Sequence, residues 1–473
     1  MMDTATAALA ISARREGANV WFDGVNTDSR AVHPGQLFVA IRGERFDGHE
    51  FVAKAFERGA VAALVAEETL AKNPGLASDE AKGLLAVADP IAALGALAEF
   101  WRRRFTLPAI GVVGSNGKTT VKEMIAAILR REYGTDRVLA TAGNFNNAIG
   151  LPLTVLRLRA ADVAAVFEIG MNHAGETAAL AAIAQPTIAL INNAQREHQE
   201  FMKSVGDVAA EHATLFDALP DDGTAIINAD DAHAVLWRKT VAMRNARGSA
   251  IRIVDFGLRE AAAVSATVRA QPWGHVVDLT TPQGSATFEL RAPGTHNVMN
   301  ALAATAASIT AGVTLESVAN ALSAFRPAAG RLEVKTAANG ATVFDDTYNA
   351  NPDSVRAAIA VLAQAPGRKW LLLGDMGEVG AQGETFHREI GAYAHDARID
   401  RLFATGTMMR YTVDSFGSGG EHFASVDALV EALVAARISP RDAVLIKGSR
   451  FMRMERVVAA LTGVAPGASG GSH

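Results

Sequence analysis

The sequence predicts an α/β protein of three domains, and two observations lead to this prediction. The chain has 473 residues, 49% of them hydrophobic and 20% charged. That length is too great for one ordinary core and suggests about three domains of roughly 150 residues each. Apolar strand-like runs also alternate with helix-length segments twice, first from Ala109 and again from Thr342. Such alternation is typical of mostly parallel sheets covered by helices on both faces.

The first two predicted domains differ in size and are followed by a hinge. The predicted boundaries are 1–88, 89–329 and 330–473. Strand-like runs at 36–41 and 59–65 predict a small α/β domain at the start of the chain. A helix opening at Asp89-Pro90 is expected to join the first two domains, because its apolar residues share one face. These residues are Leu94, Leu97, Phe100 and Trp101. The segment Pro-Ala-Ala-Gly at 327–330 is predicted to be the hinge.

The strands of the second and third domains should point their carboxyl ends at the functional site. Strand-like runs of the second domain lie at 109–113, 163–169, 187–191 and 224–227. Those of the third lie at 342–344, 370–373, 402–404 and 444–446, and each but the last precedes a helix-length segment. Thr295 is expected to cap an alanine-rich helix. The Gly/Ser-rich tail at 467–473 is predicted to be disordered.

Composition excludes several classes of function. The formal net charge is -5, so we expect no nucleic-acid partner, and any phosphate must be bound locally. The chain contains no cysteine, which excludes thiolate catalysis and cysteine-ligated zinc. The first residues do not match a secretory signal, and no run reaches the ~18 apolar residues of a membrane span. We therefore expect a cytoplasmic protein without membrane insertion.

The loop that follows the strand at 109–113 is predicted to bind nucleotide phosphates. Its residues are Gly114, Ser115, Asn116, Gly117, Lys118, Thr119 and Thr120. Glycines let backbone N–H groups approach phosphate oxygens, an exposed Lys118 supplies a charge, and the Thr119 hydroxyl is placed to ligate Mg²⁺. Val112 stands where the usual motif has its first glycine, which points away from generic nucleotide switches.

Several polar residues elsewhere are candidate site residues with plain structural alternatives. Glu168 ends a strand and suits Mg²⁺, although it is also compatible with a capping role. His198 also follows a strand, but a lone histidine is more often structural. Asn144, Asn146 and Asn147 suit an uncharged polar substrate, although Asn/Gly clusters are usually turns.

In this order, the motifs resemble those of the Mur ligase family of amide-forming synthetases, over roughly 24–462. The landmarks are 114–120, Glu168, His198, 293–297, 330–331 and 345–352. The segments 27–30, 34–49, 374–380 and 447–450 favour the member that adds D-alanyl-D-alanine (D-Ala-D-Ala) to UDP-N-acetylmuramoyl-tripeptide. The resemblance implies ATP and Mg²⁺ as cofactors and an acyl-phosphate on the substrate carboxylate. It also suggests a monomer that meets only these small-molecule substrates.

The resemblance assigns roles to particular residues. The implied catalytic residues are Lys118, Glu168, His198 and Arg331. The implied ATP contacts are the 114–120 loop, His296, Asn297, Asn300, Arg331 and Asp346, and the implied metal ligands are Thr119, Glu168 and His198. The implied contacts to the UDP substrate are Asp28, Ser29, Arg30, Phe46, Asn144, Asn146 and Asn147. Those to the dipeptide side are Tyr348, Asn349, Asn351, Lys447 and Ser449.

One residue departs from the family pattern, and three alternatives stay open. Mur ligases usually carry a carbamylated lysine on the helix after the His198 position, where this chain has His212. The alternatives are the diamino-acid-adding ligase, whose Asp-Asn-Pro-Arg motif is absent here, folylpolyglutamate synthetase, and a phosphate-loop switch without ligase chemistry. The sequence leaves open whether the third peptide residue of the substrate is diaminopimelate or lysine.

Overall fold

The computed structural model describes residues 1–44, 46–77 and 81–464. The Gly/Ser-rich tail, predicted to be disordered, lies outside the described residues. Successive parts of the chain build a five-stranded sheet, a six-stranded sheet and a second six-stranded sheet, with two small antiparallel sheets added. Each of the three large sheets carries helices on its faces, as the alternating pattern predicted.

The first part of the chain forms a small α/β unit with a mixed sheet in the order β2-β7-β6-β5-β4. Its elements are β1 Met2–Asp3, α1 Thr4–Ile11, β2 Arg14–Gly17, β3 Trp21–Phe22, β4 Gly24–Asn26, β5 Gln36–Val39, α2 Val52–Glu57, β6 Ala62–Ala66, α3 Glu67–Lys72 and β7 Gly83–Val87. The strand predicted at 59–65 begins only at Ala62 because Gly59, at φ +103°, belongs to the preceding turn.

Helix α4, Pro90–Arg102, joins this unit to the next one as predicted. Asp89 caps it by accepting from Ile91 N and Ala92 N, and Pro90 fills its first turn. Its buried leucines belong to one hydrophobic cluster that contains residues of both units. At its end the buried Arg102 donates to the carbonyl oxygens of Ala184 and Gln185. The first two units are therefore fixed to each other through one continuous core.

Shortening one buried side chain of this helix tests the shared core. Leu94 is fully buried in the joining cluster, so Leu94→Ala should lower the free energy of unfolding by about 2–5 kcal/mol. Urea denaturation followed by circular dichroism measures the loss. Leu9→Ala, at a leucine of α1 that is 86% exposed, is the control and should change little. Equal stability of the two variants would contradict the shared core.

The second unit holds a fully parallel sheet in the order β13-β12-β11-β8-β10-β9. Its elements are β8 Ala109–Val113, α5 Lys118–Tyr133, β9 Val138–Ala140, α6 Gly150–Val155, β10 Ala164–Glu168, α7 Glu176–Ala184, β11 Ile188–Ile191, α8 Val205–Ala213, β12 Thr224–Asn228, α9 Ala234–Asn245, β13 Arg252–Phe256, β14 Ser265–Gln271, β15 Gly274–Thr281, β16 Gly284–Leu290, α10 Thr295–Thr310 and α11 Leu315–Ala324. Strand β8 lies between β10 and β11, so the loops after these three strands meet at one edge.

Two features of this unit differ from the sequence predictions. The antiparallel sheet β14-β15-β16 was not predicted, and Trp273 at its β14–β15 turn packs edge-to-face on Phe344 of the third unit, 5.1 Å between ring centroids. Thr295 is not the cap of α10. Gly294 takes that position, with φ +89°, where an added Cβ would lie 2.5 Å from the His296 ring.

The third unit holds a six-stranded sheet in the order β17-β18-β22-β19-β20-β21. Its elements are β17 Glu333–Thr336, β18 Thr342–Asp346, α12 Pro352–Ala363, β19 Lys369–Gly374, α13 Gly383–Asp396, β20 Arg401–Thr405, α14 Met409–Phe416, β21 Gly420–Phe423, α15 Val426–Ala435, β22 Ala443–Lys447 and α16 Glu455–Thr462. Only β17 runs antiparallel within this sheet. The last strand was expected to lack a helix, but α16 follows it. No helix in the described part of the chain is long and apolar enough to cross a membrane.

Candidate active site

A cavity of about 860 Å³ lies where the strand ends of the second unit face the third unit. Its walls include the 114–120 loop, the loop after β11, the amino end of α10 and the loop after β18. The polar ends of strands from two separate sheets, and the amino termini of neighbouring helices, thus surround one cavity. Such a junction between α/β units is where ligands of these folds commonly bind.

The 114–120 loop has the backbone that close approach to phosphate requires. Gly117 has φ +83°, and an added Cβ there would lie 2.5 Å from Asn300 Oδ1. The loop is held by Asn193, whose carbonyl accepts from Ser115 N and whose Oδ1 accepts from Asn116 N. Helix α5 begins at Lys118, so the positive end of its dipole lies at the loop. These features fit a nucleotide polyphosphate.

Lys118 is not the exposed loop lysine that the sequence suggested. Its side chain is 16% exposed and its Nζ lies 3.2 Å from Glu197 Oε2. Burial alone would raise the pKa of Glu197, but the charge of Lys118 and the neighbouring His212 outweigh it and lower that pKa to about 2. Glu197 therefore fixes the ammonium group at the loop. Sequence reasoning missed this residue, although it directly precedes His198.

Glu168 and Thr119 meet as predicted for a metal site. Glu168 Oε1 accepts from Thr119 Oγ1 at 3.1 Å and from Asn146 Nδ2 at 2.8 Å. Its other oxygen, Oε2, is buried without a hydrogen-bond partner. A hard, unpaired carboxylate oxygen beside a threonine hydroxyl suits Mg²⁺. These residues fit the ion that the sequence predicted.

His198 lines the same cavity but contacts other groups. Its Nδ1 lies 2.6 Å from Glu378 Oε2 in the third unit, and its Nε2 lies 3.8 Å from Glu197. Within residues 1–44, 46–77 and 81–464, no three His, Asp or Glu side chains gather in a way that would hold a metal ion. The predicted set of Thr119, Glu168 and His198 is therefore only partly brought together.

Arg331 connects the start of the third unit to the phosphate loop. Its Nη2 donates to Thr119 Oγ1 at 2.9 Å, and its guanidinium stacks on the Tyr348 ring, 3.8 Å from the centroid. Leu332 next to it has φ +57°, a backbone region that residues other than glycine seldom adopt. The guanidinium is thus held beside the Thr119 hydroxyl at the wall of the cavity.

The amino end of α10 brings His296, Asn297 and Asn300 to the wall of the cavity. The buried Asn297 and Asn300 are joined by a hydrogen bond of 3.2 Å, and Asn192 Nδ2 ties Asn300 to the phosphate loop. Burial lowers the pKa of His296 to about 4, so its ring is neutral at neutral pH. Asp346 lies nearby, paired with Lys447 at 2.7 Å.

The third unit presents Tyr348, Asn349, Asn351 and Lys447 on the opposite wall, whereas the buried Ser449 does not line the cavity. Asn351 caps α12 and exchanges hydrogen bonds with Asn116 of the phosphate loop, the shorter at 2.9 Å. Lys447 Nζ donates to Asn349 O, and Ser449 Oγ accepts from Gly377 N at 2.7 Å. Lys447 and Ser449 thus fix the backbone of Asn349 and Gly377, which line the cavity.

The predicted residues of the first unit lie elsewhere. Asp28, Ser29, Arg30 and Phe46 do not line the cavity, whereas Asn144, Asn146 and Asn147 do. Arg30 pairs with Asp28 at 2.8 Å and lowers the pKa of that carboxyl to about 2. Phe46 is 72% exposed. These four side chains remain candidates for a more distant part of a long substrate.

Comparison with known proteins decides the family. Three sequence profiles match in chain order: the Mur ligase family catalytic domain over 22–102, the Mur ligase middle domain over 112–308, and the Mur ligase glutamate ligase domain over 330–450. The chain belongs to the Mur ligase family. This membership confirms the predicted class of enzyme, an ATP-dependent ligase, and the predicted three-domain α/β fold.

Individual relatives of this Mur ligase match along nearly the whole chain. UDP-N-acetylmuramoyl-tripeptide--D-alanyl-D-alanine ligase of Escherichia coli is 38% identical over 94% of this chain and 95% of its own, and that of Bacillus subtilis is 35% identical over 92% of each. A crystal structure of MurF from Acinetobacter baumannii superposes with a TM-score of 0.87 at 32% identity, covering 98% of this chain and 99% of that one. MurF ligase from Thermotoga maritima, crystallised in complex with ADP, gives 0.79 at 25% identity over 93% and 97%.

Proposed function

We propose that this Mur ligase joins D-Ala-D-Ala to UDP-N-acetylmuramoyl-tripeptide during peptidoglycan synthesis, converting ATP to ADP and phosphate. Full-length similarity to relatives of that name supports the proposal. The observation that carries it is the shared cavity, where Lys118 of the phosphate loop faces Arg331, Tyr348 and Lys447 of the third unit. A phosphate-loop switch without ligase chemistry would leave this second wall without a role.

The proposed chemistry follows from the inertness of a carboxylate at neutral pH. An oxygen of the tripeptide carboxylate attacks the γ-phosphorus of ATP, the bond to the β-phosphate oxygen breaks, and ADP leaves. The amine of D-Ala-D-Ala then attacks the acyl carbon, and the tetrahedral intermediate collapses with loss of phosphate and a proton. Lys118 and Arg331 stabilise negative charge on the transferred group. Mg²⁺ held through Thr119 and Glu168 would offset phosphate charge.

Each unit has its own proposed task. Residues 1–88 hold the UDP end of the substrate through Asp28, Ser29, Arg30 and Phe46. Residues 89–329 bind ATP, with His296, Asn297 and Asn300 toward the base, while Asp346 of the third unit lies toward the ribose. Residues 330–473 bind the dipeptide beside Tyr348, Asn349 and Asn351, opposite the Asn144–Asn147 loop. Because ATP and UDP-linked precursors are cytoplasmic metabolites, we place the reaction in the cytoplasm. We also expect the enzyme to be a monomer.

A coupled phosphate-release assay tests this function. Release should require ATP, a UDP-N-acetylmuramoyl-tripeptide and D-Ala-D-Ala together, and mass spectrometry should show the pentapeptide product. Running the assay with the diaminopimelate and the lysine tripeptide in parallel identifies the natural third residue. Activity with a UDP-muramyl-dipeptide and a diamino acid instead would assign the preceding ligase, and activity with folate and glutamate would assign folylpolyglutamate synthetase.

The unusual His212 gives a prediction about bicarbonate. His212 is 1% exposed and its Nε2 lies 3.2 Å from Glu197 Oε1, so the position where relatives carry a lysine carbamate holds an imidazole against a carboxylate. Imidazole cannot form that carbamate, and Mg²⁺ prefers oxygen ligands. We expect bicarbonate not to stimulate the enzyme and native mass spectrometry to show no labile carbon dioxide adduct. His212→Lys is the comparison variant and should become responsive to bicarbonate.

A further inference from the structure

The loop after β11, residues 193–200, contacts the phosphate loop with one set of residues and the third unit with another. We call it the coupling loop. Asn193 and Gln195 bind Ser115 and Asn116 of the phosphate loop, with Gln195 N donating to Ser115 Oγ at 2.8 Å. Glu197 holds Lys118 at 3.2 Å. Asn193, Gln195 and Glu197 therefore fix the groups that surround the proposed γ-phosphate.

Arg196, His198 and Glu200 contact the third unit, and Arg196 makes most of these hydrogen bonds. Its backbone N and its Nη2 donate to the two carboxylate oxygens of Asp353 at 2.9 and 2.6 Å. Its Nη1 and Nη2 donate to Glu389 at 2.7 and 3.1 Å. Asp353 lies in the first turn of α12 and Glu389 on α13. One guanidinium of the second unit thus joins two helices of the third.

A second contact beside Arg196 is made through unusual backbone. His198 Nδ1 lies 2.6 Å from Glu378 Oε2, and Glu200 N donates to Glu378 O at 3.3 Å. His198 has φ +48° and Glu378 φ +57°, a backbone region that residues other than glycine seldom adopt. Two such residues facing each other across a domain boundary indicate that this placement is maintained by the contacts around it.

Removing Arg196 would do more than delete a hydrogen bond. Asp353 and Glu389 would remain as two carboxylates at the boundary, with only Arg356 to offset Glu389, at 3.0 Å. Both carboxylates belong to the third unit, so the boundary would lose the charge attraction between the two units, and each carboxylate would be better hydrated in an open arrangement. Because Arg196 is bonded directly to Gln195 and Glu197, a shift of its backbone moves the residues that hold Asn116 and Lys118.

We propose that Arg196 is a positioning residue for ligation, which places Lys118 and the third unit correctly relative to each other when the cavity is closed. This inference rests on the proposed function and adds a residue to it. Arg196 touches neither of the reacting groups in this role. It acts through Glu197 on one side and through Asp353 and Glu389 on the other.

The test compares Arg196→Ala with Arg196→Lys, and with Arg388→Ala as the matched control. Arg388 lies next to Glu389 on α13 but pairs with Glu384 of its own helix. Since small misplacements of reacting groups cost up to about a hundredfold in rate, we expect kcat of Arg196→Ala to fall at least about tenfold, with KM for ATP changed less than about threefold. Lysine cannot bind both carboxylates in the same forked geometry, so Arg196→Lys should recover only part of kcat. Arg388→Ala should match wild type.

Solution scattering and a double variant separate positioning from a merely structural effect. With an ATP analogue and UDP-tripeptide, wild type should become more compact and Arg196→Ala less so, at unchanged melting temperature without ligand. Glu389→Gln should lower kcat, and combining it with Arg196→Ala should give less than the product of the two effects.

Normal kcat in Arg196→Ala, or an equal rise of KM for every substrate without loss of kcat, would overturn the inference. Absence of ligation by wild type would instead overturn the proposed function.

Discussion

Lys118→Ala is expected to abolish ligation. Lys118 stands at the amino end of α5, and its ammonium group is held beside the phosphate loop by Glu197 and the carbonyl of Gly114. Removing a fixed charge that stabilises a transferred phosphoryl group costs at least about a hundredfold in rate. Phosphate release and product formation should both fall by that factor, whereas Lys72→Ala, at an exposed lysine of the first unit, should leave them unchanged.

The same substitution should also change how stability depends on pH. The folded-state pKa of Glu197 is about 2, below its ordinary value of 4.5, so this carboxylate stabilises the fold above pH ~4.5 and loses that contribution as pH falls toward 2. Without Lys118 the pKa of Glu197 should rise. The variant should therefore be less stable than wild type near neutral pH, and the difference should shrink in acid. Near-normal turnover would remove the phosphate-loop assignment, and an unchanged pH profile of stability would remove the Glu197 pairing.

Glu168→Gln should have the second largest effect. Glutamine keeps an oxygen that can accept from Thr119 and Asn146, but it replaces the unpaired, buried Oε2 with an amide group. Because Mg²⁺ binds carboxylate oxygen far better than amide nitrogen, we expect kcat to fall about a hundredfold. The Mg²⁺ concentration for half-maximal activity should also rise. Glu384→Gln, at an exposed glutamate of α13, is the control. A Mg²⁺ titration identical to that of wild type would contradict the metal role of Glu168.

Local patterns were sufficient to predict most strands and the groups that follow them. Apolar runs such as Ala109–Val113 and Leu371–Leu373 lie fully buried in parallel sheets, where both faces demand apolar side chains. The phosphate loop was identifiable because it directly follows such a run, and Glu168 because it ends one, whereas Asn351 was assigned only by the family resemblance. The antiparallel sheet at 265–290 was missed because β14 is exposed along most of its length, and its alternation is too weak to separate from a polar loop.

The contacts that build the cavity were harder to predict because they join distant parts of the chain. Glu197 meets Lys118 across 79 residues, and Arg196 meets Glu389 across 193. Nothing in the local sequence distinguishes a glutamate that is 6% exposed, as Glu197 is, from one on a solvated turn. The one available signal was position, since Glu197 and Arg196 follow a buried strand next to the strand that carries the phosphate loop.

Helix α10 has a consequence for how the two ends of the nucleotide site are spaced. Its buried faces are made largely of small residues, among them Ala301, Ala303, Ala304 and Ala307. An alanine side chain ends at Cβ and has no rotamers. A helix packed through alanines therefore cannot change its position by changing side-chain conformations. The amino end of α10 is therefore held at a fixed distance from α5. The distance between Asn297 and Lys118 is therefore fixed. A nucleotide that contacts both residues must have a matching distance between its base and its phosphates.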